Sequence, residues 1–270
     1  EADSDSEAGS ESDECPVPDG WTVEDGLTYY YKDGDRLCGE QYLQDESGAW
    51  HWYYFWPDNG CAMDTGWTFV PSNGGKWVYY DEQGRMLYGQ QFIEGAWYLF
   101  DEWTGATSYG FAYISDQSKW VFYDRASGKM LYGQQCIDEG WYRLDPHTGA
   151  VTYGFSYLPE DGKWVFYDRV TGRMLYGQQF IDEGWYYLTP MTGAVDYEWA
   201  YLPDDDKWVY YDAVTGRMVY GSQMIDGRPR YFDENTGRVY SKDEEVNRLI
   251  SVVRRTYGRD IECSGALAMA

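Results

Sequence analysis

Tryptophan recurs in this 270-residue chain at a fixed interval. Trp120, Trp164 and Trp208 stand 44 residues apart, and so do Trp97, Trp141 and Trp185. Tyr88, Tyr132, Tyr176 and Tyr220, each followed by Gly, keep the same interval. Such a period points away from one irregular core and toward a stack of like units, each too small to bury its apolar face alone.

Each unit divides into two similar halves, KWVFYDRVTGRMLYGQQFI at 163–181 and GWYYLTPMTGAVDYEWAYL at 184–202. In both, a Trp is followed eight residues later by Gly and four further on by Tyr, as in Trp164, Gly172 and Tyr176. Runs such as Trp120-Val121-Phe122-Tyr123 suit a pleated, half-buried strand. The polar segment that follows ends in Thr-Gly or Ser-Gly, and Gly supplies the positive φ of a hairpin loop. A short second strand is predicted after it, for example Lys129-Met130-Leu131-Tyr132. A lone hairpin of this size is marginal in water, so the hairpins must stack.

The expected fold is all-β, a tandem β-hairpin solenoid of about ten hairpins over residues 20–240 with a short C-terminal helical segment. The seeds are Tyr29, Trp52, Trp77, Trp97, Trp120, Trp141, Trp164, Trp185, Trp208 and Tyr231. The first two hairpins are irregular enough to act as a cap, and Tyr231-Phe232 stand in for Trp in the last. Residues 1–19 are acidic and Ser-rich, with too little apolar content to build a core, and read as a disordered leader. In residues 241–270, Val246, Leu249, Ile250 and Val253 follow helical spacing. Ser241 with Glu244 reads as a capping box, and Gly258 as the helix stop.

Aromatic residues make up 20% of the chain, with 29 Tyr and 14 Trp, and most of them are needed to fill the stack. The formal net charge of −25 excludes nucleic acid and anionic lipid as natural partners. No stretch approaches the roughly 20 apolar residues of a membrane span, so no membrane insertion is expected. No signal peptide is visible and residue 1 is Glu, so the chain reads as a mature or trimmed segment. Cys15, Cys38, Cys61, Cys136 and Cys263 show no CxxC spacing, and the carboxylates match no EF-hand loop, so neither metal nor cofactor is expected. Cys38 and Cys61 can pair, which the sequence leaves open. Cys136 stands where sister repeats have Phe92 and Phe180 and reads as a small core hydrophobe.

The half-repeats resemble the cell-wall-binding, choline-binding-type repeats of Gram-positive surface proteins, with similar repeats in glucan-binding proteins and clostridial toxins. The shared pattern is G-x-W-Y-Y-[FL]-x-x-x-T-G-x-M-x-x-G, seen at Gly184-Trp185-Tyr186-Tyr187-Leu188 and at Gly172-Arg173-Met174 with Gly177. The resemblance implies small aromatic ligand cages between consecutive hairpins. Carried over by position, these are Trp77/Tyr88/Trp97, Trp120/Tyr132/Trp141, Trp164/Tyr176/Trp185 and Trp208/Tyr220/Tyr231, closed by Met86, Met130, Met174 and Met218. The implied partner is a cell-wall polymer bearing choline or glycan, and the implied location is secreted or at the cell surface. One departure separates the ligands: the T-G-W ending of the family survives only at Thr65-Gly66-Trp67.

Near the C-terminus, Glu262-Cys263-Ser264-Gly265 resembles the nucleophile segment of NlpC/P60-type cysteine peptidases. A thiolate there needs a His base, and only seven residues follow Cys263, while His51 and His147 lie inside the repeats. The chain itself is therefore read as a binding module and not an enzyme. The alternatives are the targeting half of a peptidoglycan hydrolase cut at Cys263, and a structural spacer or protein-binding array whose aromatics are all core.

Overall fold

A computed structural model describes residues 19–257 of the protein. The chain falls into two compact units that divide after Leu131. The described residues form ten antiparallel hairpins and one C-terminal helix. The first unit holds hairpin one (Gly20–Glu24 with Leu27–Lys32), two (Gly39–Gln44 with Trp50–Trp56), three (Gly66–Val70 with Lys76–Tyr80), four (Gly89–Ile93 with Ala96–Phe100) and five (Gly110–Ile114 with Lys119–Tyr123). The second holds six (Gly133–Ile137 with Gly140–Leu144), seven (Gly154–Leu158 with Lys163–Tyr167), eight (Gly177–Ile181 with Gly184–Leu188), nine (Glu198–Leu202 with Lys207–Tyr211) and ten (Gly221–Ile225 with Arg228–Phe232). The fold is the expected tandem β-hairpin solenoid class.

The strand pairing differs from the expected one. The Trp-bearing strand pairs with the segment before it: Trp164 faces Tyr157 and Tyr167 faces Gly154. The segment after the Thr-Gly turn contributes only a one-residue bridge, such as Tyr123 to Met130 or Tyr167 to Met174. A strand at 129–132 cannot extend, because Gly133 takes φ +74° and opens the next hairpin.

That single bridge residue couples one hairpin to the next. Its amide donates to the carbonyl of the preceding hairpin's Trp: Met86 to Trp52 and Met130 to Trp97 in the first unit, Met174 to Trp141 and Met218 to Trp185 in the second, at 2.8–2.9 Å. Beside this bond sits a residue at or next to the end of the second strand of hairpins two to ten. Phe55, Tyr80, Phe100, Tyr123, Leu144, Tyr167, Leu188, Tyr211 and Phe232 are all 0% exposed. Alternation then puts the Trp, three residues earlier, on the outer face.

The turns are fixed by carboxylates. Asp168 accepts from the Thr171 hydroxyl and from the amides of Val170 and Thr171, and Asp101, Asp124, Asp145, Asp212 and Asp233 repeat the arrangement. The Gly that ends each turn has a second reason to be Gly. At Gly193, with φ +65°, a Cβ would lie 2.5 Å from the Met174 sulfur.

In the first unit a disulfide joins Cys38 to Cys61 across hairpins one and two, settling the pairing that the sequence left open. Cys136 is a free, exposed cysteine and not core. It faces Trp141 on the outer side of hairpin six, and its sister residues Phe92 and Phe180 are exposed too. Cys15, Cys263 and Gly258 lie outside the described residues.

The helix runs from Lys242 to Tyr257. Its capping box is closed in both directions, Ser241 amide to Glu244 carboxylate and Glu244 amide to Ser241 hydroxyl. Polar contacts hold it: Arg238 reaches Glu244 at 2.9 Å, and the Arg248 guanidinium lies 3.2 Å above the Tyr231 ring. Val246 and Leu249 of its apolar stripe stay exposed.

The turn carboxylates set the acid stability. Each is held below its ordinary value of 3.8: Asp101, Asp145, Asp168 and Asp212 first by the amide of the turn Thr, Asp124 by the Ser127 hydroxyl, Asp233 by the Tyr240 hydroxyl. A pKa depressed by folding gives stability that is complete above the unfolded value and lost as pH falls below it. Relief of repulsion among acidic residues acts the other way and dominates at milder pH. The thermal unfolding midpoint should therefore hold or rise from neutral to about pH 5 and drop below about pH 4. A midpoint that stays level to pH 2 would contradict this role for the turns.

Candidate functional site

The seven second-strand Trp residues from Trp77 to Trp208 are between 36 and 52% exposed. They are outer residues and not the filling of the stack. The filling comes from the Tyr, Phe or Leu three positions later and from the bridge residues, including Met86, Met130, Met174 and Met218, all buried. Tyr88, Tyr176 and Tyr220 pack against buried clusters formed around Tyr80, Tyr167 and Tyr211. Burial pushes the phenols of Tyr88, Tyr176 and Tyr220 up. The structure thus turns the Trp of each expected triplet outward and its Tyr and Met inward. Trp120 belongs to the first unit, and Tyr132 and Trp141 to the second.

Trp77 instead gathers with residues that sequence reasoning did not select. A cavity of 190 Å³ is lined by Trp67 and Trp77 of hairpin three, Tyr98 and Tyr109 of hairpin four and its outgoing segment, and Ala126 and Ser127 of a turn. The Trp67 and Tyr98 rings are 4.8 Å apart at 64°. Trp67 is the Trp of the single Thr65-Gly66-Trp67 sequence, which was the available signal. On its other side, Trp67 and Trp77 border a second cavity of 340 Å³ with Trp56, Phe69 and Asp64.

The same geometry recurs between hairpins one and two, where Trp21 meets Tyr53 at 4.7 Å and 64°. Thr28 there occupies the register position of Trp77, and the cavity widens to 600 Å³, with Asp45, Glu82 and Arg85 on its walls. In the second unit Phe155 meets Tyr186 at 5.0 Å, with Tyr197 packed on the same cluster. Between hairpins nine and ten the set is incomplete. Trp199 contacts Phe232, but Arg230 holds the position of Tyr186, and Pro229 faces Met224 where Trp185 faces Phe180. Tyr231 is therefore two residues out of register with the other seeds. It is buried, and its ring packs on Tyr240 instead of closing a cage with Trp208.

The alternate junctions are built differently. Where Trp67, Phe155 and Trp199 stand after the first residue of the strand, hairpins two, four, six and eight carry Glu40, Gln90, Gln134 and Gln178. Gln90 donates to the Tyr123 hydroxyl at 2.9 Å. Gln134 and Gln178 face Tyr167 and Tyr211, whose hydroxyls find no partner within hydrogen-bonding distance. Burial, the largest influence, pushes Tyr167 up to about 12. The residue in place of Tyr98 at these junctions is Val78, Val121, Val165 or Val209, fully buried.

His51 approaches Asp45 at 3.3 Å, and the His147 amide donates to the Asp145 carboxylate of its turn. Both contacts lie within the histidines' own hairpin or turn. Among the described residues no group of His, Cys, Asp and Glu is arranged to hold a metal, and no helix is long and apolar enough to cross a membrane.

Fold and site together define a repeat-type binding module with aromatic pockets at hairpin junctions. Residues 65–108 and 203–243 match the choline-binding repeat family. No curated protein matches the chain by sequence. Among solved structures, CbpJ from Streptococcus pneumoniae TIGR4 is similar at 23% identity and a TM-score of 0.66, over 83% of this chain and 88% of that one. Choline-binding protein F from Streptococcus pneumoniae is similar at 25% identity and a TM-score of 0.60, over 83% and 87%. The choline-binding domain of CbpL from the same species gives 22% and 0.52, over 75% and 98%. Two stretches of the chain thus match choline-binding repeats, and the described residues share the fold of these solved proteins.

The inward and outward rings differ in what they stabilise. Tyr80→Ala empties a fully buried site and should cost about 3–5 kcal/mol. Trp77→Ala removes a ring that is half in water and should cost under about 2 kcal/mol. Urea unfolding of the two variants measures the difference, and equal losses would show that Trp77 is core.

Proposed function

We propose that this chain anchors a surface protein to a choline-bearing cell-wall polymer of a Gram-positive bacterium. The trimethylammonium group enters the aromatic pockets between hairpins one and two, three and four, and seven and eight. The observation that carries this reading is the recurrence of one ring pair, Trp21 on Tyr53 and Trp67 on Tyr98, at nearly the same distance and angle. Rings meeting at this angle present faces to a common point, and a quaternary cation there gains about 0.5–2 kcal/mol per face. The pocket beside Trp67 and Trp77 is small, which suits a compact head group more than an extended glycan. The family match over 65–108 covers this pocket's Trp67, Trp77 and Tyr98.

Each pocket alone is weak. Several on one array, meeting a polymer with repeated epitopes, gain strength through effective concentration. The charge of −25 adds a field that draws cations and repels competing polyanions.

Choline added to the purified chain should quench Trp fluorescence saturably. Trp67→Ala should weaken binding at its own pocket by about twofold to thirtyfold, the loss of one cation–π face. Choline-free walls should not retain the protein. Retention on such walls, or quenching unchanged by Trp67→Ala, would sink the reading.

The chain is proposed to bind without cutting. Peptidoglycan fragments incubated with it should remain intact, and Cys263→Ala should change nothing. Cleavage that disappears in Cys263→Ala would restore the hydrolase alternative.

A further inference from the structure

The junction between hairpins two and three breaks the pattern of its sisters. Glu40 replaces the Gln found in hairpins four, six and eight. Its carboxylate, like its partner, is largely withdrawn from water: Lys76 donates to it at 2.7 Å with 13 and 15% of the two side chains exposed. The Ser72 hydroxyl donates to its other oxygen at 3.0 Å, and Lys76 also donates to the Thr104 carbonyl at 2.7 Å. Beside this pair opens a cavity of 340 Å³ whose walls include Trp52 and Trp103.

Trp103 is the second unusual residue. It sits at a turn tip, 88% exposed, where only its backbone is used, the amide donating to Asp101. Sister turns place Ala126, His147, Val170, Met191, Val214 or Asn235 there, so the turn itself requires no ring.

The chemistry of this cavity selects its ligand. The ammonium in the wall opposes a cationic head group, and the carboxylate opposes an anion. What fits is a neutral molecule with one apolar face for an indole and hydroxyls for the ion pair. The Lys76 ammonium has a third hydrogen left after its two contacts, and the carboxylate keeps free lone pairs. The volume lies at the small end for ligand sites. We propose that this cavity is a carbohydrate subsite for one or two pyranose rings, with Trp103 as the stacking platform and Glu40 and Lys76 binding the hydroxyls. It is distinct from the cation pockets and does not depend on them.

Isothermal titration of the full chain with chitotetraose and, separately, isomaltotetraose tests it. Saturable binding of either is expected, the first marking an acetamido-sugar strand and the second a glucan. Saturating choline should leave that binding in place. Trp103→Ala should keep the wild-type melting temperature and choline response while weakening the sugar about tenfold. Glu40→Gln restores the sister residue but removes the partner of Lys76; it should weaken the sugar several-fold, with the melting temperature measured beside it and Trp103→Ala deciding the case if that temperature falls. No binding of either oligosaccharide, full affinity in either variant, or displacement by choline would overturn the proposal. A chain that binds sugar but not choline would refute the cation pockets alone.

Discussion

Within each unit, from hairpin two onward, the structure depends on one backbone hydrogen bond per junction, from a bridge residue to the carbonyl of the preceding hairpin's Trp. No hairpin closes its own core. Tyr80 or Phe100 is wholly buried only because the neighbouring hairpin covers it. The bond also dictates where the functional rings go. It commits the Trp main chain to the stack, while strand alternation sends its side chain to the outer face. A ring fixed at its backbone and open on its face is preorganised for a ligand without being needed as filling.

The period is 44 residues and not half of that because consecutive junctions solve the same packing problem with different chemistry. Trp67 and Trp199 reach Phe100 and Phe232, which carry no hydroxyl. Gln90 reaches Tyr123, whose hydroxyl it satisfies. Large apolar meets apolar at one step, and amide meets phenol at the next. The two half-repeats are held apart by this difference, and the ring pair of the cation pockets recurs at alternate junctions.

Much of this was legible in the sequence. The Trp interval marks the hairpins, the Thr-Gly and Ser-Gly pairs mark the turns, and Ser241 with Glu244 marks the helix start. The strand partner was not legible, because a one-residue bridge leaves no alternating pattern to count. Inner and outer rings were not separable either. In Gly184-Trp185-Tyr186-Tyr187-Leu188 both faces carry aromatics, so the period of two is masked. Trp67 and Tyr98 are not marked as partners, because the repeat runs along the chain from Trp to Trp, whereas the pocket joins the first strand of one hairpin to the second strand of the next. Tyr231 misled for a simpler reason: 44 residues beyond Trp185 stands Pro229.

Rows of exposed Trp and Phe on short hairpins would ordinarily invite edge pairing and aggregation. The acidic residues answer this at the places where it matters. Hairpins four, six, eight and ten turn through left-handed positions occupied by Glu94, by Asp138 and Glu139, by Asp182 and Glu183, and by Asp226. Carboxylates therefore sit beside Phe92, Trp141 and Trp185 at the strand ends where another copy would dock. The same charges bias the aromatic faces toward cations, in keeping with the proposed trimethylammonium ligand. A neutral version of these turns would lose both properties together, which explains why charge and aromatic content rise together in this chain.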